Sequence, residues 1–248
     1  MSASSVHRIH LAEVSSTNGY ARELVTDGGA VLVTADYQTA GRGQRGNSWE
    51  SASGANLLFS LVIKPQGVAA SQQFVLCELI SVSLCEVLSR YVADVRIKWP
   101  NDIYYRDHKL CGILIEHDLE GACLSRTIIG VGLNVNQAHF TGDAPNPVSL
   151  FQVLGHEVER EVLLREVVDH FMTLYAQYSD ECPTLCRDAL HERYSRLLYR
   201  RDVEAMFRDG DGDFAATLRG VAHDGRLLLE DGEGKQRSYL FKEVAYVL

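Results

Sequence analysis

GRGQRGNSWES, residues 41–51, is the stretch that decides between two fold classes. Its first six residues satisfy G-x-G-x-x-G, which in a dinucleotide-binding fold follows a strand, opens a helix and precedes an acidic residue by about 20 positions. Here the segment NSWESASG at 47–54 is a poor helix former, and positions 61–66 hold no carboxylate. The context therefore excludes a Rossmann fold, and the glycine-rich loop must belong to another structure.

The chemistry of this loop favours an anion. Three glycines within six residues let backbone N–H groups turn toward a negative charge, and Arg42 and Arg45 can add charge-assisted hydrogen bonds. The loop therefore predicts phosphate binding. A flexible surface turn with solvated arginines is the alternative that the loop alone leaves open.

Composition and charge narrow the class of protein. The chain has 248 residues, of which 33 are acidic and 24 basic, so its net charge is −9. This balance argues against general attraction to nucleic acid or to an anionic membrane, although a local basic site remains possible. The first 25 residues lack a signal-peptide core, and no apolar run approaches the about 20 residues of a spanning helix. We therefore predict a cytoplasmic protein without a membrane partner.

The six cysteines form no C-x-x-C pair, and four of them lie in apolar helix or strand patterns. Reduced core thiols are predicted, with disulfides as the alternative. Cys182 and Cys186 are the only close pair, and no nearby histidine pattern supports a zinc site. We therefore assign no metal ligands to the chain.

Hydrophobic periodicity predicts an α+β fold, because hairpins and helices are mixed along the chain without strict βαβ alternation. A capped helix is predicted to begin within residues 15–18, since short hydroxyl and amide side chains satisfy free N–H groups. The predicted strands cover 31–38, 56–63, 95–99, 103–105, 109–116 and 127–136, and the predicted helices cover 71–91, 158–180 and 184–195.

The character of the sequence changes near residue 200. Five short strand patterns follow, with Asp-Gly turns at 209–212, 224–225 and 231–232, which is typical of a small β-barrel. We therefore place a boundary near residue 197 and predict two domains, 1–196 and 197–248.

One predicted strand has a bare face. In IIGVGLNVN, residues 128–136, alternation places four aliphatic side chains on one face and Gly130, Gly132 and Asn134 on the other. Glycine weakens a strand interior, so two on one face indicate that a ligand or a tightly packed helix lies against the backbone. We favour the ligand, because Asn134 continues this face with a hydrogen-bonding group.

A second predicted strand contains a lysine whose role the strand pattern alone does not define. In RIKWPND, residues 96–102, alternation points Lys98 away from its apolar neighbours, and Pro100 ends the strand before a polar turn. An isolated lysine at such a position is by default a solvated edge residue. A functional interpretation of Lys98 therefore depends on the motifs around it.

Five motifs occur together in a defined order. They are SSTN at 15–18, QTAGRGQRGNSW at 38–49, KWPND at 98–102, KLCGILIE at 109–116 and GVGLN at 130–134. In this order and spacing the chain resembles the biotin protein ligases, over nearly its whole length. The resemblance implies a mixed β-sheet with helices, of the class II aminoacyl-tRNA synthetase and biotin ligase type, followed by a small C-terminal SH3-like β-barrel.

The chain differs from many members of that family at two places. Gln44 and Asn47 stand where arginines are common, so retention of the activated intermediate is expected to differ. The sequence begins directly at the catalytic domain, without room for the helix-turn-helix of repressor-type members. DNA binding is therefore not expected.

The resemblance also implies an activity, its substrates and its partner. Biotin's carboxylate attacks the α-phosphorus of ATP to give biotinyl-AMP, and a lysine of a biotin carboxyl carrier domain then takes the acyl group. Magnesium is expected with ATP, and the enzyme is expected to be a monomer or a homodimer. No enzyme nucleophile is required, which agrees with the absence of a G-x-S-x-G motif.

Site residues follow from the same resemblance. Biotin contacts are expected at Ser16, Thr17, Asn18, Gln38, Gly41, Arg42, Lys109 and Gly112, and ATP or adenylate contacts at Arg42, Gly43, Gln44, Arg45, Trp49, Asn101, Lys109 and Asn134. Catalysis is assigned to Arg42 and Lys109, which bring the carboxylate and the phosphate together. Asp102 is assigned to remove a proton from the acceptor lysine, whose free amine has a pKa near ~10.4, and Lys98 completes the catalytic set.

Two other functions remain open at this point. A lipoate ligase or octanoyltransferase has the same architecture, but an aliphatic acid calls for an apolar pocket, whereas a urea ring fits the polar set Ser16, Thr17 and Gln38. A non-catalytic biotin or nucleotide sensor would bind ligand without exchanging diphosphate into ATP.

Overall fold

The computed structural model describes residues 6–25, 29–142, 145–180 and 183–247, without the side chains of residues 45, 179, 180 and 183–186. The central strands are β1 His7–Val14, β2 Val31–Gln38, β3 Leu57–Ile63, β4 Val95–Lys98, β5 Asp102–Tyr105, β6 His108–Glu120 and β7 Cys123–Leu133. They form one sheet in the order β1-β2-β3-β7-β6-β5-β4. Strands β1 and β2 are parallel and every other neighbouring pair is antiparallel, so the predicted mixed sheet is confirmed.

Helices cover both faces of this sheet. They are α1 Thr17–Glu23, α2 Phe74–Leu88, α3 Leu150–Leu154, α4 Arg160–Asp180 and α5 Pro183–Arg196. Alternate residues of β3 point in opposite directions, so Phe59 and Leu61 join the core under α2, while Val62 joins the smaller cluster under α1. Every residue of β3 is consequently buried, as its continuous apolar pattern predicts.

The first turn of α1 is fixed by its cap. Ser16 has an extended backbone, and its Oγ accepts a hydrogen bond from the Gly19 N–H at 3.5 Å. Thr17 and Asn18, the first two helical residues, are buried against the sheet. The predicted capped start is confirmed, and it delivers polar side chains to the sheet surface.

Helix α2 is apolar on nearly all sides because it lies between the sheet and other helices. The stretch Ala70–Leu88 is long and apolar enough to span a membrane by length and composition, contrary to the expectation from sequence. However, 72% of it is buried inside the protein, so its apolar character is explained by core packing.

The C-terminal strands are β8 Glu204–Asp209, β9 Gly212–Val221, β10 Leu227–Asp231, β11 Gln236–Tyr239 and β12 Ala245–Tyr246. They form a small antiparallel sheet in the order β11-β10-β9-β8-β12, which is consistent with the predicted SH3-like domain. Within the described residues no ladder joins β11 to β12, so the sheet is not a closed barrel. The boundary between 1–196 and 197–248 stays a prediction.

One strand was not foreseen from the sequence, and the cysteines are described only in part. Strand β1 was not predicted, because it is an edge strand with mostly exposed side chains and gives little hydrophobic signal. Cys77, Cys85, Cys111 and Cys123 are free, and Cys85 and Cys111 are core thiols as predicted, whereas Cys123 is exposed. Burial raises the pKa of the Cys77 thiol to about 12. Cys182 lies outside the described residues, as does the side chain of Cys186.

Candidate active site

Three glycines form a bare patch on the face of the sheet that carries α1. The strand register places Gly112 of β6 opposite Gly132 of β7, and Gly130 of β7 opposite Ser60 of β3. Because three of these four positions lack a side chain, another group can approach the strand backbone closely. We refer to Gly112, Gly130 and Gly132 as the glycine patch.

Side chains of the protein itself cover the glycine patch. A Cβ built on Gly112 would lie 2.9 Å from Trp49 Cζ3, and one built on Gly132 would overlap the same indole. At Gly130 the overlap would be with the Asn18 amide. In this structure a loop side chain and α1 supply flat groups from distant parts of the chain to this face, and the predicted binding of a ligand there stays a prediction. A ligand that reaches the patch must displace the indole.

A hydrogen-bond network lines the end of the patch nearest α1. Ser60 Oγ lies 2.8 Å from Thr17 Oγ1 and 2.6 Å from Asn18 Oδ1. Gln38 Oε1 accepts from the Thr17 backbone N–H at 2.7 Å and from the Thr17 hydroxyl at 3.1 Å. These bonds fix the orientation of several buried polar groups. Ser60 was missed from sequence, although a single polar residue inside the apolar run LLFSLVI was a usable signal.

A cation and a carboxylate lie beside the patch. Lys109 Nζ is 2.8 Å from Asp102 Oδ1, and the two side chains are 25% and 19% exposed. The same ammonium group lies 5.7 Å from the centre of the Trp49 ring, at cation–π distance. The register of the β5–β6 hairpin, which sets Asp102 opposite Gly112, brings these groups together.

Arg42 approaches the cleft from the glycine-rich loop. Its backbone bridges to Ser48, and the segment between them includes a single 3-10 helical turn over Gln44–Gly46. The Arg42 guanidinium is half exposed, and its Nη2 lies 3.3 Å from Glu116 Oε2. The side chain of Arg45 lies outside the described residues.

Lys98 occupies a different environment from Lys109. Its Nζ lies 4.9 Å from the centre of the Tyr104 ring and 5.2 Å from that of Tyr246, which belongs to the C-terminal sheet. Burial lowers the pKa of the Lys98 ammonium, and Lys109 lowers it further, while Asp102 opposes the shift. Tyr246 was not foreseen from sequence.

Most of the expected site residues line two adjoining clefts. The first is lined by Ser16, Thr17, Asn18, Gln38, Arg42, Gly43, Gln44, Trp49, Asn101, Lys109 and Gly112, with Gly130 and Gly132. The second shares Gly43, Gln44, Trp49, Asn101 and Lys109 with it and adds Lys98, Asp102 and Tyr246.

Among the expected contact residues whose side chains are described, Gly41 and Asn134 lie outside the lining of both clefts. A Cβ on Gly41 would lie 2.6 Å from the Trp49 carbonyl oxygen, so this glycine shapes the loop. Asn134 is buried, and its Nδ2 donates to the Val148 carbonyl at 3.1 Å and to the Lys109 carbonyl at 3.4 Å. Asn134 therefore ties the Lys109 strand to a neighbouring segment.

Two buried polar atoms in the clefts have no partner in the described part of the protein, namely Trp49 Nε1 and Gln44 Oε1. Leaving such groups unpaired costs free energy, so a ligand with a matching acceptor and donor gains from binding here. The same part of the chain contains no group of three or more His, Cys, Asp or Glu side chains placed to hold a metal ion.

The mixed sheet, the glycine-rich loop with Arg42 and the Lys109–Asp102 pair are the features that we expect of one class of protein, the ligases that activate a carboxylic acid. Comparison with known proteins agrees, because the model of the biotin/lipoate A/B protein ligase family matches residues 14–134. The chain is 31% identical to a biotin-[acetyl-CoA-carboxylase] ligase of Paracoccus denitrificans, over 91% of this chain and 95% of that protein.

Two further relatives extend this result. A bifunctional ligase/repressor BirA of Bacillus spizizenii is 32% identical over 94% of this chain and 72% of that protein. A solved structure, the biotin protein ligase from Aquifex aeolicus in complex with biotin and ATP, superimposes with a TM-score of 0.80 at 25% identity, covering 96% of this chain and 97% of that one. The chain belongs to the biotin/lipoate A/B protein ligase family and, within it, to the biotin protein ligases.

Proposed function

We propose that the protein activates biotin with ATP in the two clefts and then transfers the biotin to a lysine of a carrier protein. The observation that carries this proposal is the arrangement of one glycine patch, with a polar network at one end and Lys109 with Asp102 at the other. An acid bound along the patch has its head group in the polar network and its carboxylate beside Lys109. The ATP dependence and the ligase activity follow from the family.

In the first half-reaction a biotin carboxylate oxygen forms a bond to the α-phosphorus of ATP, and the bond from that phosphorus to the oxygen bridging to the β-phosphate breaks. Diphosphate leaves with the electron pair, and biotinyl-AMP remains. Two anions must approach each other, so cations that neutralise them contribute most to catalysis. We assign this task to Lys109 and Arg42, both of which line the first cleft.

In the second half-reaction the amine of the carrier lysine attacks the acyl carbon and releases AMP. The amine must lose a proton, and Asp102 is the carboxylate that lines the second cleft. We propose that the acceptor lysine enters through this cleft, past Lys98 and Tyr246. Magnesium would accompany the ATP phosphates, which together with one or two carboxylates and waters are its usual ligands.

The polar network distinguishes biotin from an aliphatic acid. Thr17, Asn18, Gln38 and Ser60 place hydroxyl and amide groups where a urea ring needs donors and acceptors. An octanoyl or lipoyl chain has no polar head group to exchange hydrogen bonds with these side chains, whereas a urea ring has both donors and acceptors. The site therefore favours biotin over the acids used by lipoate ligases.

The acceptor and the compartment are also proposals. We propose a biotin carboxyl carrier domain as the acceptor, because the Paracoccus relative is named for its action on acetyl-CoA carboxylase. The four free cysteines among the described residues fit a reducing compartment, which supports the cytoplasm. A monomer or homodimer without DNA binding stays a prediction.

The direct test is transfer of biotin to a purified carrier domain. Lys109→Met and Arg42→Ala should each lower the rate by on the order of 10²–10³-fold, as loss of one preorganised electrostatic group does. Lys235→Met, at an exposed turn of the C-terminal sheet, is the matched control and should transfer biotin at the wild-type rate.

Three outcomes would contradict parts of the proposal. Normal rates in both variants would remove Lys109 and Arg42 from the site. Faster transfer of octanoate or lipoate than of biotin would reassign the acid. Binding of biotin without biotin-dependent exchange of diphosphate into ATP would indicate a sensor.

A further inference from the structure

Glu116 contacts two residues that line the first cleft. It is the last residue of the motif KLCGILIE on β6, and its side chain is 21% exposed. Its Oε2 accepts a hydrogen bond from Asn18 Nδ2 at 2.8 Å and lies 3.3 Å from Arg42 Nη2. One carboxylate oxygen therefore joins the acid-binding network to the loop arginine.

We propose that Glu116 is a positioning residue that orients Asn18 and Arg42 for biotin and ATP at the same time. The inference rests on the proposed function, since it assigns Glu116 to act through residues of that site. Glu116 itself does not line either cleft and touches neither substrate in this scheme.

The effect on Asn18 follows from the similar shape of the two ends of its amide. Rotation by 180° exchanges the amide oxygen and nitrogen, so an asparagine is oriented only by its hydrogen-bond partners. Here Nδ2 donates to the Leu114 carbonyl at 3.2 Å and to Glu116 at 2.8 Å, which turns Oδ1 toward Ser60 and the glycine patch. Glu116 thereby fixes an acceptor in the acid-binding network.

The effect on Arg42 follows from the number of its donors. A guanidinium group has five N–H donors, so one nitrogen can bind Glu116 while the others remain available to a phosphate or carboxylate. Arg42 is on a loop and is half exposed, so a fixed anchor lowers the conformational entropy that it loses when an anion binds. Glu116 supplies that anchor.

Glu116 also belongs to a larger charged network, which offers a control. Its Oε1 lies 3.1 Å from Arg22, which in turn lies 3.4 Å from Asp118, and Asp118 pairs with Arg126 at 2.6 Å. Asp118→Asn weakens this network without touching Asn18 or Arg42. It should leave the kinetics unchanged, whereas a purely structural role for Glu116 predicts equal effects at the two positions.

The test compares Glu116→Gln with Glu116→Ala in biotin-dependent exchange of diphosphate into ATP. Glutamine keeps an oxygen for Asn18 but loses the charge that holds Arg42, so the KM for ATP should rise about tenfold while the Kd for biotin changes less than about threefold. Alanine removes both partners, so both constants should rise by about tenfold or more. Glu116→Gln preserves side-chain size and remains informative if the alanine variant does not fold.

A double variant separates failure of this inference from failure of the proposed function. If Glu116 acts through Arg42, adding Glu116→Gln to Arg42→Ala should raise the KM for ATP no further. Additive effects, or Glu116→Gln kinetics equal to those of Asp118→Asn, would overturn the inference while leaving the function intact. Unchanged activity of Arg42→Ala itself would instead overturn the site assignment on which the inference rests.

Discussion

At the scale of single residues, the ion pair between Lys109 and Asp102 links the two half-reactions. The carboxylate assigned to the acceptor lysine lies 2.8 Å from the cation assigned to the reacting oxygens. The motifs KWPND and KLCGILIE suggested both residues but not their contact, which results from the register of the β5–β6 hairpin. A change at Asp102 should therefore affect both steps, to unequal extents.

Asp102→Asn keeps the size of the side chain and removes its charge. We expect transfer from purified biotinyl-AMP to fall by about 10²–10⁴-fold, the usual contribution of a general base. Diphosphate exchange should fall less than about tenfold, because Lys109 remains and loses only one partner. Both rates are measured on one preparation, with transfer followed in a single turnover.

Equal losses in the two assays would mean that Asp102 acts only by holding Lys109. Asp94→Asn is the matched control, because Asp94 forms an exposed ion pair with Arg106 away from the clefts. This control should leave both rates unchanged.

At the scale of elements, β6, β7 and the loop that carries Trp49 together form the surface that we propose binds the acid. The strands supply a backbone surface without side chains, and the loop supplies an indole that lies on it. Movement of the loop therefore exposes or covers the glycine patch. Such loop movements commonly exclude water from reactive intermediates, and biotinyl-AMP is a hydrolysable mixed anhydride.

Gly132→Ala tests this surface, because the added methyl group would occupy the space of the Trp49 ring. We expect the Kd for biotin, measured by calorimetry, to rise at least about tenfold, since overpacking costs about 1–3 kcal/mol. The free energy of unfolding should change by less than about 1 kcal/mol, because the loop can move away. Gly220→Ala is the matched control. Gly220 also lies in a strand, β9, but a methyl group added there meets open space.

Wild-type affinity in Gly132→Ala would show that biotin does not use the glycine patch.

The same elements show how far sequence reasoning extends. Strand β2 was predicted at its observed bounds, and β3 within one residue, because a buried strand has a continuous apolar pattern. The bare face of β7 was also predicted, but not what covers it, since Trp49 and Asn18 come from segments distant in the chain. Ser60, Glu116 and Tyr246 were missed for the same reason, because their contacts depend on tertiary packing.

At the scale of the whole molecule, the C-terminal sheet is joined to the catalytic part beside the second cleft. The turn after β9 packs against Phe74 of α2 at Gly225, and the Gly225 carbonyl accepts a hydrogen bond from Trp99 Nε1 at 2.9 Å. Trp99 begins the turn that carries Asn101 and leads into Asp102, the first residue of β5. Docking of the C-terminal sheet is therefore coupled to the position of site residues.

A titratable contact lies at the same junction. Glu78 of α2 is fully buried, and its Oε1 lies 2.5 Å from His191 Nδ1 of α5. The centre of the His191 ring lies 4.2 Å from that of His223, with the two rings tilted by 36°. His223 follows β9, and its Nε2 lies 3.6 Å from Asp188 Oδ1. The hydrogen bond to Glu78 raises the pKa of His191 above its usual value, against the opposing effect of burial.

A raised pKa means that the folded protein binds the proton more tightly than the unfolded chain, so the protonated pair stabilises the fold. This contribution is complete below about pH 6.5, the unfolded value, and is lost as the pH rises through the folded pKa of His191. His191→Gln should therefore lower the free energy of unfolding by about 1.5–3 kcal/mol near pH 6, and by less near pH 9. Urea unfolding of both proteins at the two pH values measures the difference, with His156→Gln, an exposed histidine, as the control. If the difference in free energy of unfolding between the wild type and His191→Gln instead grew with pH, neutral His191 would be the stabilising form. The junction would then depend on packing of the two rings and not on the ion pair with Glu78.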